Sequence, residues 1–254
     1  MSELQHPDAR AFEQVADLYE RARPGYPPEA VTWVAAELGL REGRTVLDLG
    51  AGTGKLTRQL VQSGARVIAV EPGDAMRAEL ERAVPAAEVL RGAAERIPLP
   101  DGSVDAIAIG QAFHWFRQDE TIPELRRVIR SGGGVALLWN ERDVEDPLQR
   151  SVSDLIAPFV PAGRPGPGEW RLDLVTGPLA ESALFGHLEK RRFRFVQQLD
   201  ADALADRVGS MSFVAAAPAE ERRALEAELR GLVERHSGRV DFPYVTRVFV
   251  SRAA

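Results

Sequence analysis

Apolar positions along this chain alternate between two patterns from residue 45 to residue 139. Short apolar runs at 45–49, 66–70, 88–91, 103–109 and 135–139 have the length and composition of strands. Between them, residues 55–63, 74–83 and 120–130 carry apolar side chains at helical spacing. In the last, Leu125, Val128 and Ile129 face inward and several arginines face outward. Asp74 suits an N-cap, Gly64 ends one helix, and Gly132-Gly133-Gly134 turns the chain into the fifth run. Strands that are nearly continuous in apolar residues and separated by helices predict a parallel sheet covered on both faces. Upstream, residues 9–22 read as a helix. Pro28 suits the first turn of another, with Val31, Val34, Ala35 and Leu38 at helical spacing and Gly39 as its stop.

After Asn140 the rhythm breaks. Pro158, Pro161, Pro165, Pro167 and Pro178 mark an irregular stretch at 141–185, holding Phe159 and Trp170, and long connections of this kind serve function or are disordered. The expectation is an inserted cap or lid. Residues 191–197 alternate charged and aromatic side chains as a strand, 218–236 form a helix, and 240–251 form a last strand. Residues 186–254 thus complete the sheet, and residues 1–254 make one α/β domain.

Composition narrows the function by exclusion. The 254 residues include no cysteine, which removes disulfides, thiolate nucleophiles and cysteine-held metals together. No metal site is expected. Thirty-two Lys and Arg against 38 Asp and Glu give a formal net charge of −6, which argues against nucleic acid or an anionic membrane as partner. Residues 1–12 are polar, and no run of about 20 apolar residues is present, so a cytoplasmic protein is expected.

The sharpest signal is Asp48-Leu-Gly50-Ala-Gly52-Thr-Gly54 between a strand and a helix. Glycine lets the backbone turn tightly and approach a ligand, and the following helix presents free N–H groups. A dinucleotide fingerprint requires glycine at residue 55, which is Lys55. A phosphate loop requires Ser or Thr after Gly54-Lys55 and glycine at residue 49, where Leu56 and Leu49 stand. The remaining ligand is a nucleoside with an amino-acid tail. Glu71, ending the second strand, can accept hydrogen bonds from both ribose hydroxyls, although a dinucleotide fold places an acid there too. Phe113-His114-Trp115-Phe116 follows strand four, where open α/β sheets bind ligands. Its rings can face a cation, and His114 can act as a general base.

An acid before the loop, a Gly-x-Gly-x-Gly loop and an acid after strand two together resemble the class I S-adenosylmethionine-dependent methyltransferases. Within them, the chain resembles the small-molecule branch that includes the trans-aconitate and quinone methyltransferases. The resemblance covers about residues 12–143. It rests on Tyr19-Glu-Arg-Ala-Arg-Pro-Gly-Tyr26, Val46 to Gly54, Val70-Glu-Pro72 with Met76, Ala94 to Asp101, Gly110 to Phe116, and Ala136-Leu-Leu-Trp-Asn140.

It implies a Rossmann-like, doubly wound, seven-stranded and mostly parallel sheet with helices on both faces and an antiparallel final strand. It also implies S-adenosylmethionine as cofactor and a small-molecule methyl acceptor. Gly50, Ala51 and Gly52 then wrap the methionine part. Asp48 orients the loop or reaches the ammonium group, and Glu71 and Pro72 meet the ribose. Met76, Ala94 and Glu95 lie by the adenine, with Ala93 where related sequences place an acid. Tyr19 and Arg23, on helices at 1–40, cover the cofactor, and Gln111 and Ala112 belong to its wall. His114 is the candidate base, and Phe113, Trp115 and Trp139 the candidate acceptor contacts. Two alternatives stay open: a nicotinamide oxidoreductase, and a non-catalytic cofactor-binding protein that only turnover separates from an enzyme.

Overall fold

In the computed structural model, which describes residues 22–161 and 172–254, β1 (Thr45–Leu49) is the centre from which the sheet is laid out. It pairs in parallel with β2 (Arg66–Val70) on one side. β3 (Glu88–Leu90) lies parallel beyond β2. On its other side comes β4 (Val104–Gly110), then β5 (Ile129–Arg142), again parallel. β6 (Glu189–Leu199) and β7 (Val240–Arg252) close the order as β3-β2-β1-β4-β5-β7-β6. β7 is antiparallel to both of its neighbours. This is the seven-stranded, mostly parallel α/β sheet that the sequence predicts.

Strand alternation sorts the core onto two faces. Leu47, Leu49, Ile107, Ile109 and Leu137 point to one face and pack with α4 (Gln118–Val128) and α6 (Leu172–Glu181). Each such buried side chain is worth roughly 1.5–3 kcal/mol. Val46, Val67, Ala106, Ala108 and Ala136 point to the other, under α1 (Pro28–Leu38) and α2 (Lys55–Val61). α3 (Asp74–Ala83) buries Met76 and Leu80 beside β2 and β3. Among the described residues, no helix is long and apolar enough to cross a membrane.

Several boundaries differ from the expectation. β5 begins at Ile129, and α4 stops at Val128, because the glycine run lies within the strand. The β4–β5 register shifts there, and a Cβ on Gly133 or Gly134 would lie 2.4 Å from Asp105 O or 2.5 Å from Ser251 O. Only glycine lets the neighbouring backbones pass that close.

Residues 141–185 are less irregular than their prolines suggest. Asp146 caps α5 (Pro147–Ile156) by accepting from Gln149 N, and Pro147 takes the first turn, where its missing N–H costs nothing. α5 does not sit with α6. It packs with α7 (Ala201–Gly209), α8 (Ser212–Ala215) and α9 (Ala219–Glu234) around Phe242 and Tyr244, while α6 returns to the main core through Leu172 and Leu179. The expected helix at 9–22 lies, apart from Ala22, outside the described residues.

Candidate active site

The strand order reverses between β1 and β4, because the chain runs outward from β1 to β3 before returning to β4. Ligands of open α/β sheets bind in the crevice above such a point. Here the crevice is a cleft of about 570 Å3 with its open mouth included. Asp48 and the loop at 50–53 line it from β1, Gly110 and Gln111 from β4, Asn140 from β5, Arg23, Pro24 and Tyr26 from the segment before α1, and Arg207 from α7.

Gly50, Gly52 and Gly54 all take positive φ, at 70°, 57° and 88°. A Cβ would lie 2.7 Å from Ala112 Cβ at Gly50 and 2.4 Å from Leu80 Cδ1 at Gly54, whereas at Gly52 nothing lies within 4 Å. The outer two glycines thus serve packing, and Gly52 turns an open face of backbone to the cleft. Gly50 N and Ala51 N both donate to Val70 O, which ties the loop to the end of β2. The buried Glu71 carboxylate completes the staple: Gly52 N donates to Oε2 and Gly73 N to Oε1, each at 2.9 Å.

Asp48 is 1% exposed and accepts a 2.6 Å hydrogen bond from Thr57 Oγ1. Burial pushes its carboxyl up to about 7; the Thr57 hydrogen bond opposes the rise and the nearby Glu71 charge adds to it. Opposite, Gln111 takes φ 59°, a left-handed conformation that costs a non-glycine residue about 1–3 kcal/mol and concentrates at functional sites. Its amide donates to Leu138 O and its Nε2 to Asn140 O at 3.2 Å. Asn140 in turn donates to Gly25 O at 2.9 Å and accepts from Thr246 Oγ1 at 2.7 Å, and Gln59 exchanges two hydrogen bonds with the backbone of Tyr26. The Pro24–Tyr26 strap is therefore fastened over the cleft at both sides.

Residues 47–137 match the family described as methyltransferase domain. An uncharacterised methyltransferase of Mycobacterium tuberculosis is 38% identical over 241 residues, 93% of each chain. One from Schizosaccharomyces pombe is 33% identical over 93% of this chain and 94% of its own. A solved structure from Anaeromyxobacter dehalogenans, provisionally described as a type II methyltransferase, superposes with a TM-score of 0.64 at 28% identity, covering 91% of this chain and 97% of that one. The chain belongs to the class I S-adenosylmethionine-dependent methyltransferases.

Of the residues that the sequence assigns to this methyltransferase's cofactor, Arg23, Asp48, Gly50, Ala51, Gly52 and Gln111 meet on the cleft wall, and Glu71 reaches it through Gly52 N–H. Arg23 also donates to Ser210 Oγ and O, at 3.0 and 3.1 Å. Tyr19 lies outside the described residues, as does Trp170. Pro72 precedes α3, and Met76 is buried within it. Ala94 and Ala112 belong to the main core, and Glu95 accepts from Arg117 N at the start of α4. None of these five lines the cleft.

The aromatic segment also departs from its expected position. Residues 113–115 curl into a 3-10 turn directly after β4, which sends Phe113 fully into the core. Trp139 is 3% exposed, with its ring edge-on to Phe249 at 5.8 Å. Both are core side chains and not cleft-lining contacts. Trp115 sits against His114, ring centroids 4.7 Å apart. Trp139 Nε1–H donates to His114 Nδ1 at 3.3 Å, so a neutral imidazole carries its proton on Nε2. The lone pair that a general base needs is occupied, and His114 does not line the cleft. Tyr26, Gly110, Asn140 and Arg207 do line it, and sequence reasoning assigned them no role. Asn140 had a usable signal, its place at the end of a strand; Arg207 had none.

Proposed function

We propose that the protein transfers the methyl group of S-adenosylmethionine to a small molecule bound in this cleft. The observation that carries the reading is the Glu71 staple: a buried carboxylate at the end of β2 grips the amide of the one loop glycine that faces open space. A carboxylate oxygen can accept more than one hydrogen bond, which suits Glu71 to a ribose diol. Asp48, one strand over, suits a cationic ammonium group, and the open backbone at Gly52 leaves room for the methionine tail.

S-adenosylmethionine supplies a methyl group already activated on a sulfonium, so the chain's task is to bind, align and exclude water. Alignment alone can supply roughly 7–11 kcal/mol of the barrier. General-base catalysis would add roughly a hundred- to ten-thousandfold, and the occupied Nδ1 of His114 argues that positioning carries the rate here. A small acceptor is favoured by the strap on one side and α7 on the other, which narrow the cleft, and by the formal charge of −6.

Thermal-shift titration with S-adenosylhomocysteine, using NAD as control, tests the reading. A hundredfold excess over Kd stabilises by about 2.7 kcal/mol. For a chain of this length that is roughly 5–10 °C. A response to NAD alone would overturn the cofactor assignment. Failure to form S-adenosylhomocysteine with any acceptor, in a protein that binds it, would favour the non-catalytic alternative.

A further inference from the structure

Arg142, at the end of β5, and Arg207, on α7, sit where α5 and α7 meet β7, and no carboxylate among the described residues pairs with either. Arg207 is 4% exposed yet lines the cleft. Its Nε donates to Tyr244 Oη at 2.7 Å, and its NH1 is buried without a partner. Arg142 faces Tyr244 in the β5–β7 register, and its NH2 bonds Gln149 O and Ser153 Oγ. Its Nε and NH1 are likewise buried and unpartnered. Burial, with the charge of Arg207 adding, pulls the Arg142 guanidinium down to about 10, so the two cations feel each other.

The nearby acids are committed elsewhere: Glu141 to Arg247 at 2.6 Å, Asp143 to Arg194 at 4.0 Å, and Asp146 to the cap of α5. The unmatched acceptor beside the pair, Gln149 Oε1, is neutral. Buried charges are paired or hydrogen-bonded in folded proteins, so two adjacent guanidiniums left short of acceptors call for an anion.

We propose that Arg207, backed by Arg142 and Tyr244, binds a carboxylate of the methyl acceptor. This rests on the cofactor reading above and extends it to the acceptor's chemical class. Tyr244, the partner of Arg207, lies on β7, three strands from β1 and roughly 14 Å along the sheet, which favours an anion other than the cofactor's own carboxylate. A carboxylate neutralised by guanidinium hydrogen bonds is a poor nucleophile, so it is the acceptor's anchor, and the methylated atom lies elsewhere on the same molecule.

The test compares wild type with Arg207→Met and Arg207→Lys, each saturated with S-adenosylhomocysteine. The probes are benzoate, phenylacetate, succinate and glutarate against their amides, read by thermal shift and calorimetry. The expected result is that carboxylates stabilise the wild-type complex and amides do not. Arg207→Met should weaken the carboxylates roughly ten- to a hundredfold, Arg207→Lys less, with S-adenosylhomocysteine affinity within threefold of wild type. Equal binding of amides, absence of any carboxylate response, or an undiminished response in a folded Arg207→Met protein overturns the proposal. If Arg207→Met instead loses S-adenosylhomocysteine, the pair serves the cofactor's carboxylate and the proposal fails. Wild type that does not bind S-adenosylhomocysteine sinks the cofactor reading itself, and the two failures stay distinct.

Discussion

Replacing Asp48 by asparagine tests the electrostatics of the cleft floor at a single atom pair. Asp48 is fully enclosed, and its carboxyl rises from 3.8 to about 7, chiefly because burial penalises the charge. The folded chain therefore binds a proton that the unfolded chain has released throughout the window between those values. Stability is highest below 3.8, falls as pH rises through the window, and levels off above 7. Between pH 5 and pH 7 the wild type crosses two pH units of this window, which at 1.4 kcal/mol per unit is about 3 kcal/mol. The asparagine variant has no charge to bury and loses nothing over the same range. Any fixed cost of altering the Thr57 hydrogen bond cancels when the two proteins are compared across pH. Urea melts of both at pH 5, 6, 7 and 8 should show the gap shifting in favour of Asp48→Asn by about 3 kcal/mol, equivalent to roughly 6–12 °C in Tm. A gap that is constant with pH would mean that Asp48 is ionised in the fold throughout, and the burial argument would fail. A cation placed beside Asp48 lowers its pKa, so S-adenosylmethionine binding near pH 7 should release a fraction of a proton, visible as buffer-dependent calorimetric enthalpy.

Other substitutions separate ligand from scaffold. Glu71→Gln keeps the size but sets an NH2 against one of two backbone N–H groups, so S-adenosylhomocysteine affinity should fall roughly tenfold or more by calorimetry; unchanged affinity would remove Glu71 from the ribose. Gly52→Ala points a methyl into the cleft and should weaken the cofactor with only about 1 kcal/mol of backbone strain. Gly110→Ala places its Cβ 2.4 Å from Tyr26 Oη and should cost about 1–3 kcal/mol of stability in denaturant melts. His114→Ala should lower kcat less than about tenfold, since a fall of a hundredfold or more is the mark of a lost general base.

What the sequence disclosed and what it hid divide along the range of the interactions involved. The loop, Glu71 and the central strands are local: their spacing alone reports the turn, the acid and the face, and the structure places them accordingly. Phe113 and Trp139 were misplaced because an aromatic beside a strand end reads the same whether it lines a cleft or fills a core. Here a three-residue turn and a pairing with Phe249, 110 residues away, decide. The prolines at 141–185 misled for a related reason: Pro178, read as part of an irregular stretch, lies inside α6, which packs into the main core. Arg207 was invisible because its partner Tyr244 is 37 residues distant and its neighbour Arg142 further still.

That last residue is compatible with the composition. A net charge of −6 excludes an anionic partner only where the whole surface is what the partner meets. Exposed charges are screened over about 10 Å, whereas a buried pair of guanidiniums acts at contact and largely unscreened. The cleft sets Asp48, with Glu71 behind the loop, near β1 and β2, and Arg207, backed by Arg142, toward β5 and β7, while Arg23 and Lys55 add positive charge to its wall. On the proposed reading, the cationic sulfonium and ammonium of the cofactor and the carboxylate of the acceptor each meet the end that suits them. The donor methyl and the acceptor are then oriented toward each other by groups placed on the scaffold. A dedicated base at His114 becomes unnecessary for that purpose. The strap at Pro24–Tyr26, held to α2 by Gln59 and to β5 by Asn140, and joined to the end of α7 by Arg23, links the walls that carry these two ends.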